Sequence, residues 1–286
     1  MSEPEIESSS GNRRADAPTS EAGAQYHLHL SAGQIPPTIL MPGDPGRVER
    51  MRQTWDDGEE LAYHREYRSA RGKYKGVEIG AISSGVGAPS LEIATQEFAV
   101  IGGQTIIRVG TCGALRPEIE LGDLIIPVAA VRRDGTGERY LPPEHPAFAD
   151  PEVYMALVEA CERLGLRYHL GIVASISSFY LGQERPVHGG FWQSSADGMI
   201  EDLRKAGVAC FEMECSALFL LARLFGMRSG AIMGAVANRA TNQFGDHGAE
   251  DNSIKAANEA VLVLDEWRRL KEKTGAKTFR PSLLAK

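Results

Sequence analysis

The chain has 286 residues, 43% hydrophobic and 24% charged, the composition of a water-soluble globular protein at the upper size limit of one α/β domain. Thirty-one Lys and Arg against 38 Asp and Glu leave a net charge of −7 and a pI near 5.6. That balance excludes a general nucleic-acid or acidic-membrane binder, which needs a concentrated basic patch, but leaves room for a small anionic substrate held by a few arginines.

Residues 1–24 are rich in Ser, Glu, Ala and Arg without apolar periodicity, and read as a disordered leader with no secretory signal. Residues 25–286 read as one domain. Buried strands are expected at 38–41 (TILM), 77–84, 105–109 (TIIRV), 124–131, 170–176 and 231–237. Between them come helices. One has Pro89 just inside its start and runs to about residue 101. The next is capped by Asp150 and Pro151, with Val153, Leu157, Cys161 and Leu164 on one face. A third covers 213–225 and stops at Gly226. A long last helix carries the stripe Ile254, Ala257, Val261, Leu264 and Trp267. This alternation predicts an α/β fold: a single domain with a central, mainly parallel or mixed β-sheet flanked by helices, and ligand sites at strand ends.

The longest apolar run, 217–222, is broken by Arg223, far short of the ~20 residues of a membrane span. Cys112, Cys161, Cys210 and Cys215 form no C-x-x-C pair and no zinc spacing. They are expected to be reduced, buried apolar groups in a cytoplasmic protein without a structural metal.

Four segments at strand ends could carry chemistry. In MPGDPGRVERM, Gly43 permits close backbone approach, Asp44 can bond its own turn amides, and Arg47 offers donors to an oxyanion; taken alone, D-P-G is a turn. In IIRVGTCGAL, Arg108 lies near the end of a buried strand and 110–113 reads as a tight turn. Arg108 is either paired with a structural carboxylate or aimed, with the Thr111 hydroxyl, at an anion. In FYLGQER, Gln183 and Arg185 can point the same way in extended backbone, as reading a heterocycle edge requires; alone, this is a polar loop. In CFEMECSALF, Glu212 and Glu214 flank Met213 at a helix start. Helix capping explains one carboxylate; two around a soft Met surface would suit a sugar. Gly85-Val86-Gly87 is not a dinucleotide fingerprint, since position 90 is Ser90, and no G-K-[ST] phosphate loop occurs.

Together with YHLHL, YHREY and SSGVGAPS, and in this order over residues 26–267, these segments closely resemble the nucleoside phosphorylase family, uridine phosphorylase branch. The resemblance implies a nucleoside phosphorylase-like fold and the reaction of uridine with phosphate to give uracil and ribose 1-phosphate, in pyrimidine salvage or catabolism. It assigns phosphate binding to Gly43, Arg47, Arg108 and Thr111, and to Arg65 from a neighbouring subunit. Ribose falls to Thr111, Met213 and Glu214, with His27 reaching across the dimer to the 5′-hydroxyl. The base falls to Phe179, Gln183 and Arg185, with Arg239 assisting. Arg108, Glu214 and Arg185 would carry catalysis. Glu66, Val86 and Ser90 align with a monovalent-cation (K+) site at a dimer interface, and no other cofactor is implied. The expected partners are nucleoside and phosphate, with neither nucleic acid nor membrane. The expected assembly is a homodimer with shared sites, built into a hexamer as a trimer of dimers.

The purine branch places an Asp after the late strand, whereas this chain has Ala237-Asn238-Arg239, which favours pyrimidine. Leu181 stands where the branch usually has Pro, and 186–206 matches poorly. The alternatives are a purine or broad-specificity phosphorylase of the same fold, a nucleosidase, or a non-catalytic nucleoside-binding protein. Three phosphate arginines count against the last two.

Overall fold

A computed structural model describes residues 14–20 and 23–284. Most of the expected leader, residues 1–13 and 21–22, lies outside the described residues.

The N-terminal half runs β1 (Thr38–Pro42), α1 (Pro45–Arg52), β2 (Glu59–His64), β3 (Tyr67–Tyr74), β4 (Val77–Ile82), α2 (Ala88–Val100), β5 (Thr105–Ala114), β6 (Leu124–Arg133) and the short β7 (Ala147–Phe148). The C-terminal half runs α3 (Pro151–Leu164), β8 (Tyr168–Ile176), α4 (Met199–Lys205), β9 (Val208–Glu212), α5 (Cys215–Leu224), β10 (Arg228–Asn238), the short β11 (Gln243–Phe244) and α6 (Ala249–Thr274). All six expected strands and all four expected helices are present.

Local chemistry accounts for the helix ends. The Asp150 carboxylate accepts from the amides of Glu152 and Val153 at 3.0 and 3.2 Å, and Pro151 opens α3. Gly165, at φ 63°, closes it. The D-P-G segment is more than a turn: Asp44 accepts from the Gly46 amide at 2.8 Å and caps α1. The third helix starts at Cys215, two residues later than expected.

The sheet is mixed, with five parallel and six antiparallel strand pairings. The β2–β3–β4 meander supplies two of the antiparallel ones. Nothing in the sequence marks it, because β2 is largely polar and little buried and shows no apolar alternation. Strands β5, β10, β6, β8 and β9 pair in a closed ring, and β1, β4, β3 and β2 extend from it as a wing.

β5 is the hinge of this arrangement. It does not end at Val109, and residues 110–113 are not a turn; the strand continues to Ala114 because β10 pairs with it along its whole length. Its other edge changes partner. Met41 and Pro42 of β1 sit opposite Arg108 and Val109, whereas Phe211 and Cys210 of β9 sit opposite Gly113 and Ala114. The chain diverges between these two partners, and that split is where a cleft opens.

Both faces of the inner strands are covered. Ile39 and Met41 join Leu91, Phe98, Leu218 and Leu221 in one apolar layer with α2 and α5. Leu40, Ile107 and Val109 join Met51, Leu157 and Val261 in the other, with α1, α3 and α6. Successive strand residues point to opposite faces, so a strand buried on both reads as an unbroken apolar run. The four cysteines are buried and unpaired as disulfides. No helix among the described residues is long and apolar enough to cross a membrane.

Candidate active site

A cavity of about 660 Å³ opens at the split in β5. Its walls come from the β1–α1 turn (Gly43, Asp44, Arg47), from β5 (Arg108, Gly110–Gly113), from the end of β9 (Phe211–Glu214), from the loop after β8 (Phe179, Gln183, Arg185) and from Glu66, Val86 and Phe244. Four motifs far apart in sequence therefore meet in one place.

The anion end lies beside the start of α1. A Cβ on Gly43 would stand 3.0 Å from the Gly85 carbonyl oxygen, so this close approach of β1 to the β4–α2 loop favours glycine. Arg47 is buried: Nη1 donates to the Val109 carbonyl at 3.1 Å and Nη2 to Glu250 Oε1 at 2.5 Å, while Nε has no protein partner. Arg108 is also buried. Its Nη2 donates to Glu214 Oε2, and its Nε and Nη1 have no hydrogen-bond partner among the described residues. A guanidinium cannot shed its charge, and buried donors left unpaired are costly; Arg108 Nε stands 3.9 Å from Glu212 Oε2, which leaves Arg47 Nε and Arg108 Nη1 as the nitrogens with capacity for an acceptor-rich ligand.

Glu214 lines the cavity beside Arg108. Its Oε1 accepts from the Gly87 amide at 2.6 Å, and its Oε2 accepts from Arg108. Burial pushes its carboxyl above the usual range; Arg108 pulls the other way, and Glu212 adds to the rise.

The two glutamates divide the roles that the sequence leaves open. Glu212 Oε2 accepts from the amides of Glu214 and Cys215 at 2.7 Å each, and Oε1 accepts from the Ser175 hydroxyl. Glu212 is thus the helix cap. Glu214 does not cap α5 and is directed to the cavity.

At the base end, Arg185 Nη1 donates to Gln183 Oε1 at 2.5 Å and to the Phe179 carbonyl at 2.7 Å, and its guanidinium lies 3.9 Å from the Phe179 ring centroid. Burial, with Arg239 nearby, lowers the Arg185 pKa from its ordinary value. Arg239 does not line the cavity: its Nη1 and Nη2 donate to the carbonyls of Gln183 and Glu184 at 2.7 and 3.1 Å and hold that loop. Asn238 is committed elsewhere. Its amide donates to the carbonyls of Arg116 and Ile119, and its oxygen accepts from the amides of Ala240 and Thr241.

His27 and Arg65 do not line the chain's own cavity. They lie together instead, linked by Tyr26: the Arg65 guanidinium is 5.8 Å from the Tyr26 ring, and the rings of Tyr26 and His27 are 4.9 Å apart. Next to them, Ser90 Oγ donates to Glu66 Oε1 at 3.0 Å. The Glu66 backbone amide first, then the Ser90 hydroxyl, Arg65 and His27, hold the Glu66 carboxyl below the usual range despite its partial burial. Val86 is exposed beside this pair.

The walls formed by Phe211, Val236 and Phe244, and the anchors Glu250 and Ser175, were not anticipated. Phe244 sits in a polar loop that carries no local signal, while Ser175 and Glu250 act through partners 37 and 203 residues away.

An α/β domain with arginines and a sugar-side carboxylate meeting at strand ends is the architecture of a nucleoside-processing enzyme that handles an anion. Comparisons with known proteins agree. Residues 37–266 match the phosphorylase superfamily. A uridine phosphorylase of Thermococcus kodakarensis is 48% identical over 269 residues, 94% of this chain and 97% of its own length. The uridine phosphorylase of Escherichia coli is 36% identical over 86% of this chain and 97% of its own. A guanosine phosphorylase of Halorubrum lacusprofundi is also 36% identical, over 73% of this chain and 81% of its own. The crystal structure of uridine phosphorylase from Vibrio fischeri superposes with a TM-score of 0.76 at 33% identity, covering 85% of this chain and 98% of that one. The chain belongs to the phosphorylase superfamily, among the nucleoside phosphorylases of the uridine phosphorylase branch.

Proposed function

We propose that the protein catalyses the phosphorolysis of uridine to uracil and ribose 1-phosphate. The observation that carries this reading is Arg108: one nitrogen holds Glu214, Nε faces Glu212 at 3.9 Å, and buried Nη1 is left for an anion beside them. Phosphate fits between Arg47, Arg108 and Thr111, with ribose over Met213 and its hydroxyls toward Glu214. Uracil then lies between Phe179 and the Gln183–Arg185 pair.

In that pose a phosphate oxygen attacks C1′ as the glycosidic bond breaks, and its electron pair leaves with the base. Positive charge grows on the ribose ring near Glu214 and negative charge on uracil near Arg185. Fixed groups at both places supply the acceleration by positioning and electrostatics. Uracil departs as an anion stabilised by Gln183 and Arg185 and takes its proton from water.

Base preference follows the same geometry. Where the purine branch carries an Asp, this strand ends Ala237-Asn238-Arg239: the Asn238 amide has its donors and acceptor occupied, and the Arg239 guanidinium, held by the Gln183 and Glu184 carbonyls, cannot act as an acid, so neither supplies a proton to a purine nitrogen. We assign uracil as the preferred base for that reason.

The site is shared between subunits in this reading. His27 and Arg65 stand together outside their own cavity, as groups donated to a neighbour would. A homodimer with exchanged groups, assembled into a hexamer, is the corresponding quaternary structure. Glu66 and Ser90 offer hard oxygen donors in contact with each other, and with the exposed residue Val86 they would fit K+ shared between two subunits, which would tie the dimer together. We place the enzyme in the cytoplasm, in pyrimidine salvage, with residues 1–24 as a leader outside the catalytic domain of 25–286.

The deciding experiment is phosphate-dependent turnover across uridine, thymidine, deoxyuridine and inosine, with ribose 1-phosphate quantified. Uridine should be consumed only with phosphate present and faster than inosine. Equal turnover in phosphate-free buffer would remove the phosphorylase assignment.

A further inference from the structure

Glu97 is buried on α2, and the reaction makes no direct use of it. Among the described residues, all its side-chain hydrogen bonds go to two consecutive residues. Both of its oxygens accept from the His27 amide at 3.1 Å, Oε2 accepts from the Leu28 amide at 2.8 Å, and Oε1 lies 2.7 Å from His27 Nδ1. Among the described residues its only ion-pair partner is His27; no Lys or Arg offsets its charge.

A buried carboxylate without a permanent cation is an expensive way to hold two backbone amides, which a neutral amide side chain could also satisfy. What a carboxylate adds is control of an imidazole. As an acceptor of three donors it draws the ring proton to Nδ1, which leaves the lone pair on Nε2.

The surroundings fix the ring as well as its proton. The Leu28 and Leu30 side chains are buried anchors on either side of the turn, and His29 closes it by donating its amide to the Gln25 carbonyl at 2.9 Å. The rings of Tyr26 and Tyr67 pack edge-on against the imidazole at 4.9 and 5.9 Å. His27 Nε2 has no hydrogen-bond partner among the described residues, and the side chain is 19% exposed. A ring tied at one nitrogen, wedged on its sides and open at the other nitrogen is built to present that nitrogen outward.

We propose that Glu97 is a positioning residue that holds His27 as the Nδ1–H tautomer at a fixed angle and so presents Nε2 as an acceptor for the 5′-hydroxyl of the nucleoside in the neighbouring subunit's cavity. The inference rests on the shared-site reading above and adds to it the group that orients the donated histidine.

The test compares uridine with 5′-deoxyuridine, which lacks only the hydroxyl at issue. Glu97→Gln should lower kcat/KM for uridine about tenfold, as loss of an orienting partner does, and change the value for 5′-deoxyuridine less than about twofold. His27→Ala should show the same selectivity, and the double variant should lose no more than His27→Ala alone. Equal losses on both substrates in Glu97→Gln, with selective loss in His27→Ala, would reduce Glu97 to a structural role and overturn the proposal alone. Absence of selectivity in His27→Ala would overturn the 5′-hydroxyl reading and the proposal with it. If Glu97→Gln fails to fold, histidine ¹⁵N NMR of the unmodified protein decides: a protonated Nδ1 and bare Nε2 on His27 support the proposal, and the opposite tautomer overturns it.

Discussion

Arg108 and Glu214 lie 106 residues apart and meet side by side in the interior, the guanidinium donating to the carboxylate. Each makes the other tolerable. Arg108 offsets a buried negative charge, and Glu214 occupies one of the nitrogens of a buried positive one. In the proposed pose, the contact joins the phosphate half of the cavity to the ribose half.

Removing one partner should therefore damage both stability and activity. Arg108→Ala is expected to destabilise the fold by about 3–5 kcal/mol, because it leaves Glu214 buried and unpaired, and to lower kcat/KM at least about 100-fold. The double change Arg108→Gln with Glu214→Gln should recover much of the stability and none of the activity. Chemical denaturation and phosphate-dependent assays measure the two separately; full activity in the double variant would refute the assigned roles.

Acid sensitivity should report Glu214. Its carboxyl titrates above the ordinary value because of burial first and Glu212 second. The ionised form pairs with Arg108 and, in the proposed pose, accepts ribose hydroxyls, so activity should rise as pH climbs through that raised value. The acid limb of kcat/KM is expected above the ~4.3 of an unperturbed glutamate. Glu212→Gln removes a neighbouring negative charge and keeps an acceptor for the Glu214 and Cys215 amides. The limb should then move to lower pH, and a shift to higher pH would contradict the electrostatic account.

Arg239 is expected to act on the base alone. Its two donors hold the Gln183–Glu184 backbone. Arg239→Ala should raise KM for uridine roughly tenfold, the equivalent of about one charged hydrogen bond, with KM for phosphate nearly unchanged. Parallel increases in both constants would mean that the loop supports more of the site than the base end.

Site sharing predicts complementation. Arg65→Ala and Arg108→Ala homodimers should each be nearly inactive. After verified subunit exchange at equal amounts, about a quarter of the sites should contain both arginines, given a two-fold assembly with random mixing. Absence of any recovered activity would argue that Arg65 serves its own chain.

Gly85 should resist substitution. It has φ +69°, and a Cβ there would stand 2.8 Å from Glu66 Cγ and from Ser90 Oγ. Gly85→Ala is expected to cost more than about 1 kcal/mol, read as a lowered Tm, and to disturb the Glu66–Ser90 contact. An unchanged Tm would show that this loop relaxes freely.

What the sequence determined by itself was the local order of the chain. Runs such as TILM and TIIRV announced buried strands, and Asp150, Pro151 and Gly226 punctuated helices, because periodicity and capping act over a few residues. Motifs at strand ends also identified most of the cavity-lining residues. Tertiary structure decided the rest. The polar strand β2 is visible only through its partner, and β5 runs on through 110–113 because β10 pairs with it. Whether Glu212 or Glu214 faces the ligand depends on Ser175 in the adjacent strand, and Glu97 acquires its purpose from His27, 70 residues earlier. Charge pairing and side-chain direction across such distances are set by which strands the fold brings side by side, and no local pattern encodes that choice.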